Sequence, residues 1–304
     1  MKVLGVIKIK TSKLLIGALL MCLVISLTGC KDMPLLNPKG PIGAADLHLI
    51  VVSFILMLLV VIPVIIMALW FPFKFRASNT KADYNPKWSH SFKIELVVWV
   101  IPAVIVAILA VLTWRDTHRL DPFVPIKSEA KPLTIEAVSF NWKWVFIYPD
   151  QNIATVNKLV FPVNRPVRFD ITSDTVVTAF FIPQLGSQIY AMGGKRSQLN
   201  LLADEAGTYF GQNMQYSGDG FPDMHFPVKV TTQKEYEAWL QQMKQSPDKL
   251  DLAQLNKIRK PGVGYPVTAF SWVEPELFNR ILAETKMSSN TPGKYLHTST
   301  ASED

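Results

Sequence analysis

Residues 211–224 read GQNMQYSGDGFPDM, a turn-rich loop that ends in a thioether. It has the outline of a metal-binding loop, yet it holds neither Cys nor His, the donors that grip a transition metal most firmly. Met224 stands beside His225, but two adjacent donors are not a ligand set. His225 also lies two residues before Pro227 in a strand-like run, where exposure is expected. The other histidines on the globular side are His118 and His297. No serine has a nucleophile-elbow setting, and there is neither a phosphate loop nor a Gly-rich dinucleotide fingerprint. Asp204-Glu205 lies beside a turn and reads as a solvated pair. The globular part therefore predicts no catalytic centre of its own.

Two residues outside that part could carry chemistry. Cys30 closes Leu27-Thr28-Gly29-Cys30, which follows a basic stretch (Lys2, Lys8, Lys10, Lys13) and an apolar one, Leu14–Leu27. That is the pattern of a bacterial lipoprotein signal, and it predicts cleavage after residue 29 and acylation of Cys30. The alternative is an uncleaved signal anchor. The only other cysteine, Cys22, lies inside the signal. The processed chain would then have no thiol left for a disulfide or a thiolate metal site. Glu95 sits at the end of an apolar run, at the edge of the hydrocarbon. Carboxylates there often mark proton paths; the alternative is an interfacial charge beside Lys93.

The elements that would position these residues follow from hydropathy. Hydrophobic residues make up 49% of the 304, and the excess lies near the N-terminus. Leu47–Phe73 and Leu96–Trp114 are each long enough to span a bilayer. Between them, Lys74, Arg76, Lys81, Lys87 and Lys93 oppose Asp83 alone, a net +4. The positive-inside rule puts that loop in the cytoplasm and both outer flanks outside, on the same side as an acylated Cys30. Removing the four signal lysines takes the net charge from +7 to +3. The remainder of the chain then sums to about −1, which leaves no basic patch for nucleic acid. Two spans do not make a transport pore, so a larger membrane partner is implied. Pro63 and Pro102 inside the spans are tolerable kinks.

From Leu133 the pattern changes to short runs of β-branched and aromatic residues between turn signals. They are 133–138, 142–147, 158–161, 167–172, 176–182, 188–192, 198–202, 208–212 and 226–230. Nine strands at this spacing predict a β-sandwich. Trp142 and Trp144, two apart, would share a face in an extended strand, for packing or as a docking or relay surface. Tyr236, Trp239, Leu240 and Met243 predict a helix. The division is then a signal (1–29), an outer N-terminal segment (30–45) and a two-helix transmembrane hairpin (46–115, cytoplasmic loop 74–93). A β-domain (125–232), a C-terminal helical segment (233–285) and an unstructured tail (286–304) complete it.

In this order the residues resemble subunit II of haem–copper terminal oxidases. The resemblance is carried by VRFDITSDTVVTAFFIPQLG (167–186), KRSQLNLLADEAGTYFGQ (195–212), the loop that follows, and Asn141-Trp142-Lys143-Trp144. It covers roughly residues 45–285 and implies a cupredoxin-like sandwich. Glu95, seven residues before Pro102, matches the carboxylate at the mouth of the family's proton-uptake channel. In the cytochrome c oxidase branch the sandwich holds a dinuclear copper centre, bound by two Cys, two His, a Met and a backbone carbonyl. Carried over, the two Cys positions hold Asn213 and Ser217, the loop His position holds Phe221, and the earlier His position holds Thr178; Met224 is kept.

The loss of both thiolates and both imidazoles implies a domain without copper and no soluble cytochrome c as donor. The chain is thus similar to subunit II of a bo-type ubiquinol oxidase in the bacterial inner membrane, its globular domain in the periplasm. Such a complex oxidises quinol, reduces oxygen to water and pumps protons. The resemblance implies haems and copper in a polytopic subunit I, with smaller membrane subunits also present. This chain would bind no cofactor, would not house the quinol pocket, and would serve structure, assembly and proton entry. The alternatives are a lipid-anchored periplasmic binding module, or a cytochrome c oxidase subunit with an atypical copper site.

Overall fold

The computed structural model describes residues 33–81 and 87–289. The expected signal, Cys30, loop residue Asp83, His297 and the tail beyond residue 289 lie outside the described residues.

Two long helices come first, α1 (Pro41–Lys74) and α2 (Phe92–Arg119). At 1.5 Å per residue, their 34 and 28 residues span about 51 and 42 Å. Both exceed a hydrocarbon core of about 30 Å, so the helices project past the apolar runs at each end. Pro41 opens α1, where its missing N–H costs nothing. Pro63, Pro72 and Pro102 lie inside the helices without ending them. Their apolar side chains are almost all exposed in the isolated chain, as expected of surfaces meant for lipid or for other helices. Near the basic loop, the Lys74 ammonium lies 4.5 Å from the Trp70 ring centroid, an arrangement suited to the membrane interface. His118, grouped by sequence with the globular part, belongs to the last turn of α2.

The segment before α1 is strapped to the sandwich. Lys39 N–H donates to Gln184 O (2.7 Å), Gly43 N–H to Leu185 O (3.0 Å), and Asp204 N–H to Lys39 O (2.9 Å). Ser187 Oγ donates to Asp46 Oδ2 at 2.8 Å. The membrane hairpin therefore does not simply trail from the domain: its first turn is bonded to it.

Eleven strands make two sheets among the described residues. The first contains β1 (Leu133–Phe140), β2 (Lys143–Tyr148), β3 (Ile153–Val156), β5 (Val167–Ser173), β8 (Ser197–Leu201) and β11 (Thr268–Phe270), in the order β11-β3-β2-β1-β5-β8. The second contains β4 (Leu159–Pro162), β6 (Thr178–Phe181), β7 (Ile189–Ala191), β9 (Gly207–Asn213) and β10 (His225–Thr231), in the order β4-β10-β9-β6-β7. Pairs β1·β5 and β4·β10 are parallel. The nine predicted strands are present. The two additional ones, β3 and β11, are short and pair with each other, so neither has a strong pattern of its own.

The sheets meet on an aromatic core. Trp144 and Phe146 of β2 face Phe180 of β6 and Phe226 of β10, with Trp144–Phe180 centroids 5.3 Å apart and Phe146–Phe226 centroids 4.9 Å apart. The alternate residues Val145 and Ile147 point the other way. They join Val138 and Phe140 in a second buried cluster, closed by α4 (Leu252–Ile258), β11 and α5 (Leu277–Ser289). Burial on both faces explains why Val145-Phe146-Ile147 is a continuous apolar run and not an alternating one.

The predicted amphipathic helix is α3 (Gln233–Lys244). It starts with a capping box in which Thr232 and Glu235 exchange hydrogen bonds. Helix α5 continues four residues into the stretch expected to be unstructured. Gly194 N–H donates to Thr285 Oγ1 (2.9 Å) at that point and holds its last turns against the sandwich.

Beneath this third layer, Glu136 of β1 lines a cavity of about 230 Å³ closed by Val273–Asn279. Burial pushes its carboxyl up to about 7 from an ordinary 4.5; Arg196 opposes this, and Asp170 and Glu276 add to it. The folded chain therefore holds this proton more tightly than the unfolded chain does. Stability should fall as pH rises from about 4.5 to about 7, by at most ~3 kcal/mol, and then level off. Glu136→Gln should flatten that fall. Thermal midpoints of both chains from pH 4 to pH 8 would check it, and parallel curves would count against it.

Candidate functional site

The loop singled out by its composition joins β9 to β10, and its geometry starts at the β1–β2 turn. Phe140 pairs with Lys143, which leaves Asn141 and Trp142 to make the reversal. Trp142 adopts φ +61°, a conformation that bulky residues rarely hold. The prediction that Trp142 and Trp144 share a face is corrected here. The alternation breaks at the turn, so Trp144 enters the core while the Trp142 indole lies against the loop. Its Nε1–H donates to Ser217 O at 2.9 Å. Gly220 lies so close that a Cβ there would come within 2.3 Å of the ring.

Asn213 is the centre of the loop and is buried. Its Oδ1 accepts from Ala179 N–H (2.8 Å) and Gln215 N–H (3.0 Å). Its Nδ2 donates to Gln215 O (2.7 Å) and Ser217 Oγ (3.1 Å), with Met224 Sδ at 3.4 Å. Ser217 Oγ lies 3.9 Å from the same sulfur. Three of the five singled-out positions, Asn213, Ser217 and Met224, are thus brought together. Thr178 stands beside them on β6, but its Oγ1 donates to Ser139 Oγ at 2.8 Å. The Phe221 ring packs on Tyr216, with centroids 5.8 Å apart, and only its backbone hydrogen-bonds: its N–H donates to Gly218 O (3.0 Å) and its O accepts from Met224 N–H (3.1 Å). His225 is exposed and next to Phe210.

This donor set does not fit copper. Every hydrogen-bonding atom of the Asn213 amide is already committed to the protein, and the remaining groups are a hydroxyl, a phenyl ring and one thioether. Among the described residues, no three His, Cys, Asp or Glu side chains form a metal-binding group. The network can hold a fold, and its one soft donor is the Met224 thioether, with no thiolate or imidazole beside it.

One functional-looking residue went unnoticed in the sequence. Lys143, flanked in sequence by Trp142 and Trp144, is almost fully buried. Its Nζ donates to Ile258 O (3.0 Å) and Lys260 O (2.7 Å) and lies 4.9 Å from the Tyr265 ring centroid. It thereby caps the C-terminus of α4, where the helix dipole favours a cation. Burial pulls its pKa down. Glu95 is in the first turn of α2. Its backbone N–H donates to Ser91 O (2.9 Å), and its side chain is exposed in the isolated chain.

The cytochrome c oxidase subunit II periplasmic-domain family matches residues 151–231, and the oxidase aromatic-rich motif matches residues 244–286. Two membrane helices bearing such a cupredoxin-like sandwich define the subunit II class of haem–copper oxidases. Cytochrome bo(3) ubiquinol oxidase subunit 2 of Pseudomonas aeruginosa is 50% identical over 88% of this chain and 80% of its own length. Ubiquinol oxidase subunit 2 of Acetobacter aceti is 48% identical over 85% of this chain and 84% of its own. The solved periplasmic domain of cytochrome oxidase subunit II of Bradyrhizobium japonicum is 26% identical over 39% of this chain and 96% of its own, with a TM-score of 0.37. The chain belongs to the subunit II family of haem–copper quinol oxidases.

Proposed function

We propose that this chain is the copper-free, non-catalytic subunit II of a proton-pumping ubiquinol oxidase. It would be lipid-anchored through Cys30 and contribute structure, assembly and, through Glu95, proton entry. The observation that carries this reading is the Asn213–Ser217–Met224 network. At three of the copper-ligand positions the side chains satisfy one another, which supports a loop that keeps its shape with no metal. Without a relay in the outward domain, electrons have no route in from a soluble cytochrome c. A donor dissolved in the membrane, a quinol, is the consistent alternative. Haems and copper then belong to the polytopic subunit I, which the exposed apolar faces of α1 and α2 suit as a neighbour.

One preparation tests the metal and anchor claims together. The chain purified on its own, exposed to copper and washed, should retain none in stoichiometric amount. Its intact mass should begin at Cys30 and carry added acyl groups. Stoichiometric copper would overturn the first claim, and a mass beginning at Met1 would overturn the second.

For Glu95, the reading is supported by its position in the first turn of α2, next to the basic loop; a carboxylate at that edge of a span could collect a proton. Glu95→Gln keeps the shape and loses the titratable group. Quinol oxidase turnover of the assembled complex should fall several-fold with haem content unchanged. Unaltered turnover would remove the role.

A further inference from the structure

We propose that the outer ends of α1 and α2 form a headgroup site for a glycerophospholipid of the outer leaflet, with Arg119 and His48 facing its phosphodiester. A cavity of about 350 Å³ lies between these two helix ends. Ala44, Ala45 and Leu49 give it a small, apolar wall on α1, while Arg115, Asp116 and Arg119 line it from α2. Asp116 is only 6% exposed. Arg115 grips its carboxylate with two bonds, Nε to Oδ1 at 3.1 Å and Nη2 to Oδ2 at 3.0 Å, and the two charges cancel. Arg119 and His48 also act electrostatically on Asp116, but that single carboxylate is already used. Among the described residues, none hydrogen-bonds to the Arg119 guanidinium. The cavity therefore has one guanidinium, that of Arg119, beyond what its single carboxylate neutralises.

Its depth in the membrane indicates which anion. Trp114 is exposed on α2, and tryptophans settle at the membrane–water interface. Arg119 lies five residues further out, about 7 Å along the helix, at the level of lipid headgroups. Arginines are disfavoured on the outer side by the positive-inside rule, so Arg119, whose neighbour Arg115 already holds Asp116, calls for a local counter-charge. A guanidinium fork matches a phosphodiester. The exposed Val51, Ile55 and Val111 side chains, deeper on the same two helices, give the acyl chains a surface to follow. Free inorganic phosphate would satisfy the charge but has no use for that surface.

Native mass spectrometry of the oxidase complex, purified in mild detergent, tests the proposal. The wild-type complex should retain one phospholipid adduct more than the Arg119→Glu complex at equal haem content. Ala45→Leu fills the cavity without changing its charge, and it should lose the same adduct. Acyl groups on Cys30 are covalent and persist in the denatured mass, so they are counted separately. Added inorganic phosphate should neither bind in place of the lipid nor restore anything to the variants. Equal lipid retention by the wild type and both variants would overturn the proposal, as would binding of phosphate with no retained lipid.

Discussion

Trp144→Ala should lower the stability of the outward domain by about 3–5 kcal/mol, the usual cost of emptying an aromatic site in a packed core. Trp144 is fully buried and is the largest member of a four-ring cluster. Its centroid lies 5.3 Å from Phe180, 6.1 Å from Phe226 and 6.4 Å from Phe146. Those rings come from strands of both sheets, so the cavity would open at the seam that joins them and could not close by moving one strand. Trp144→Phe provides an informative contrast. The indole Nε1–H has no acceptor among the described residues, and an unpaired buried donor costs about 1–3 kcal/mol. Phenylalanine gives up volume but also removes that donor, so it should cost well under half as much as alanine. Thermal midpoints of the three chains in the same detergent would decide. An alanine variant within about 1 kcal/mol of wild type would show that this ring is not what holds the two sheets together.

Gly40→Ala should detach the strap that ties the membrane hairpin to the domain. A Cβ at this position would lie 2.0 Å from Leu202 O and 3.2 Å from Leu202 C, which are backbone atoms of a packed loop and not the end of a movable side chain. Overpacking of this kind costs about 1–3 kcal/mol, and a carbonyl fixed in a loop puts this case at the upper end. The chain can escape only by lifting residues 39–43 away and giving up their hydrogen bonds to Gln184 and Leu185. Lys39→Ala serves as the control. Its ammonium pairs with Glu205 at 2.6 Å, but the Glu205 side chain is 61% exposed, and such surface pairs contribute about 0–1 kcal/mol. Limited proteolysis between residues 33 and 46 should become much faster in Gly40→Ala and change little in Lys39→Ala. Equal protection in both variants would show that the contact yields without cost.

The large-scale organisation could be read from the sequence because its signals are local. Hydropathy alone marked α1 and α2, and turn residues bounded nine strands. What escaped was set by partners distant in the chain. Thr268–Phe270 has no strand pattern of its own and becomes β11 because Ile153–Val156 offers an edge. Asn141-Trp142 contains no glycine to announce a hairpin, so the reversal that separates Trp142 from Trp144 could not be seen. Nothing near Lys143 in the chain tells of the carbonyls of Ile258 and Lys260, more than a hundred positions later, that receive it.

The site was legible by position but not by wiring. Resemblance singled out Thr178, Asn213, Ser217, Phe221 and Met224. It could not say that Asn213 would bond Ser217 and Met224 while Thr178 turned to Ser139. Such pairing depends on the rotamers of buried side chains, which three-dimensional packing decides.

The three-layer arrangement around β2 constrains how the protein is made. Val145 and Ile147 are covered by residues such as Phe278 and Ile281, and the β3 edge is closed by Phe270 pairing with Ala154. During export the chain crosses the membrane from its N-terminal side, so the sandwich emerges well before its cover. Until about residue 281 has followed, a sheet surface rich in valine, isoleucine and phenylalanine stands open to water with one unpaired edge, the features that invite association between chains. Secretion of the roughly fifty residues that follow β10, more than synthesis of the sandwich itself, then sets the moment at which the domain becomes safe from its neighbours.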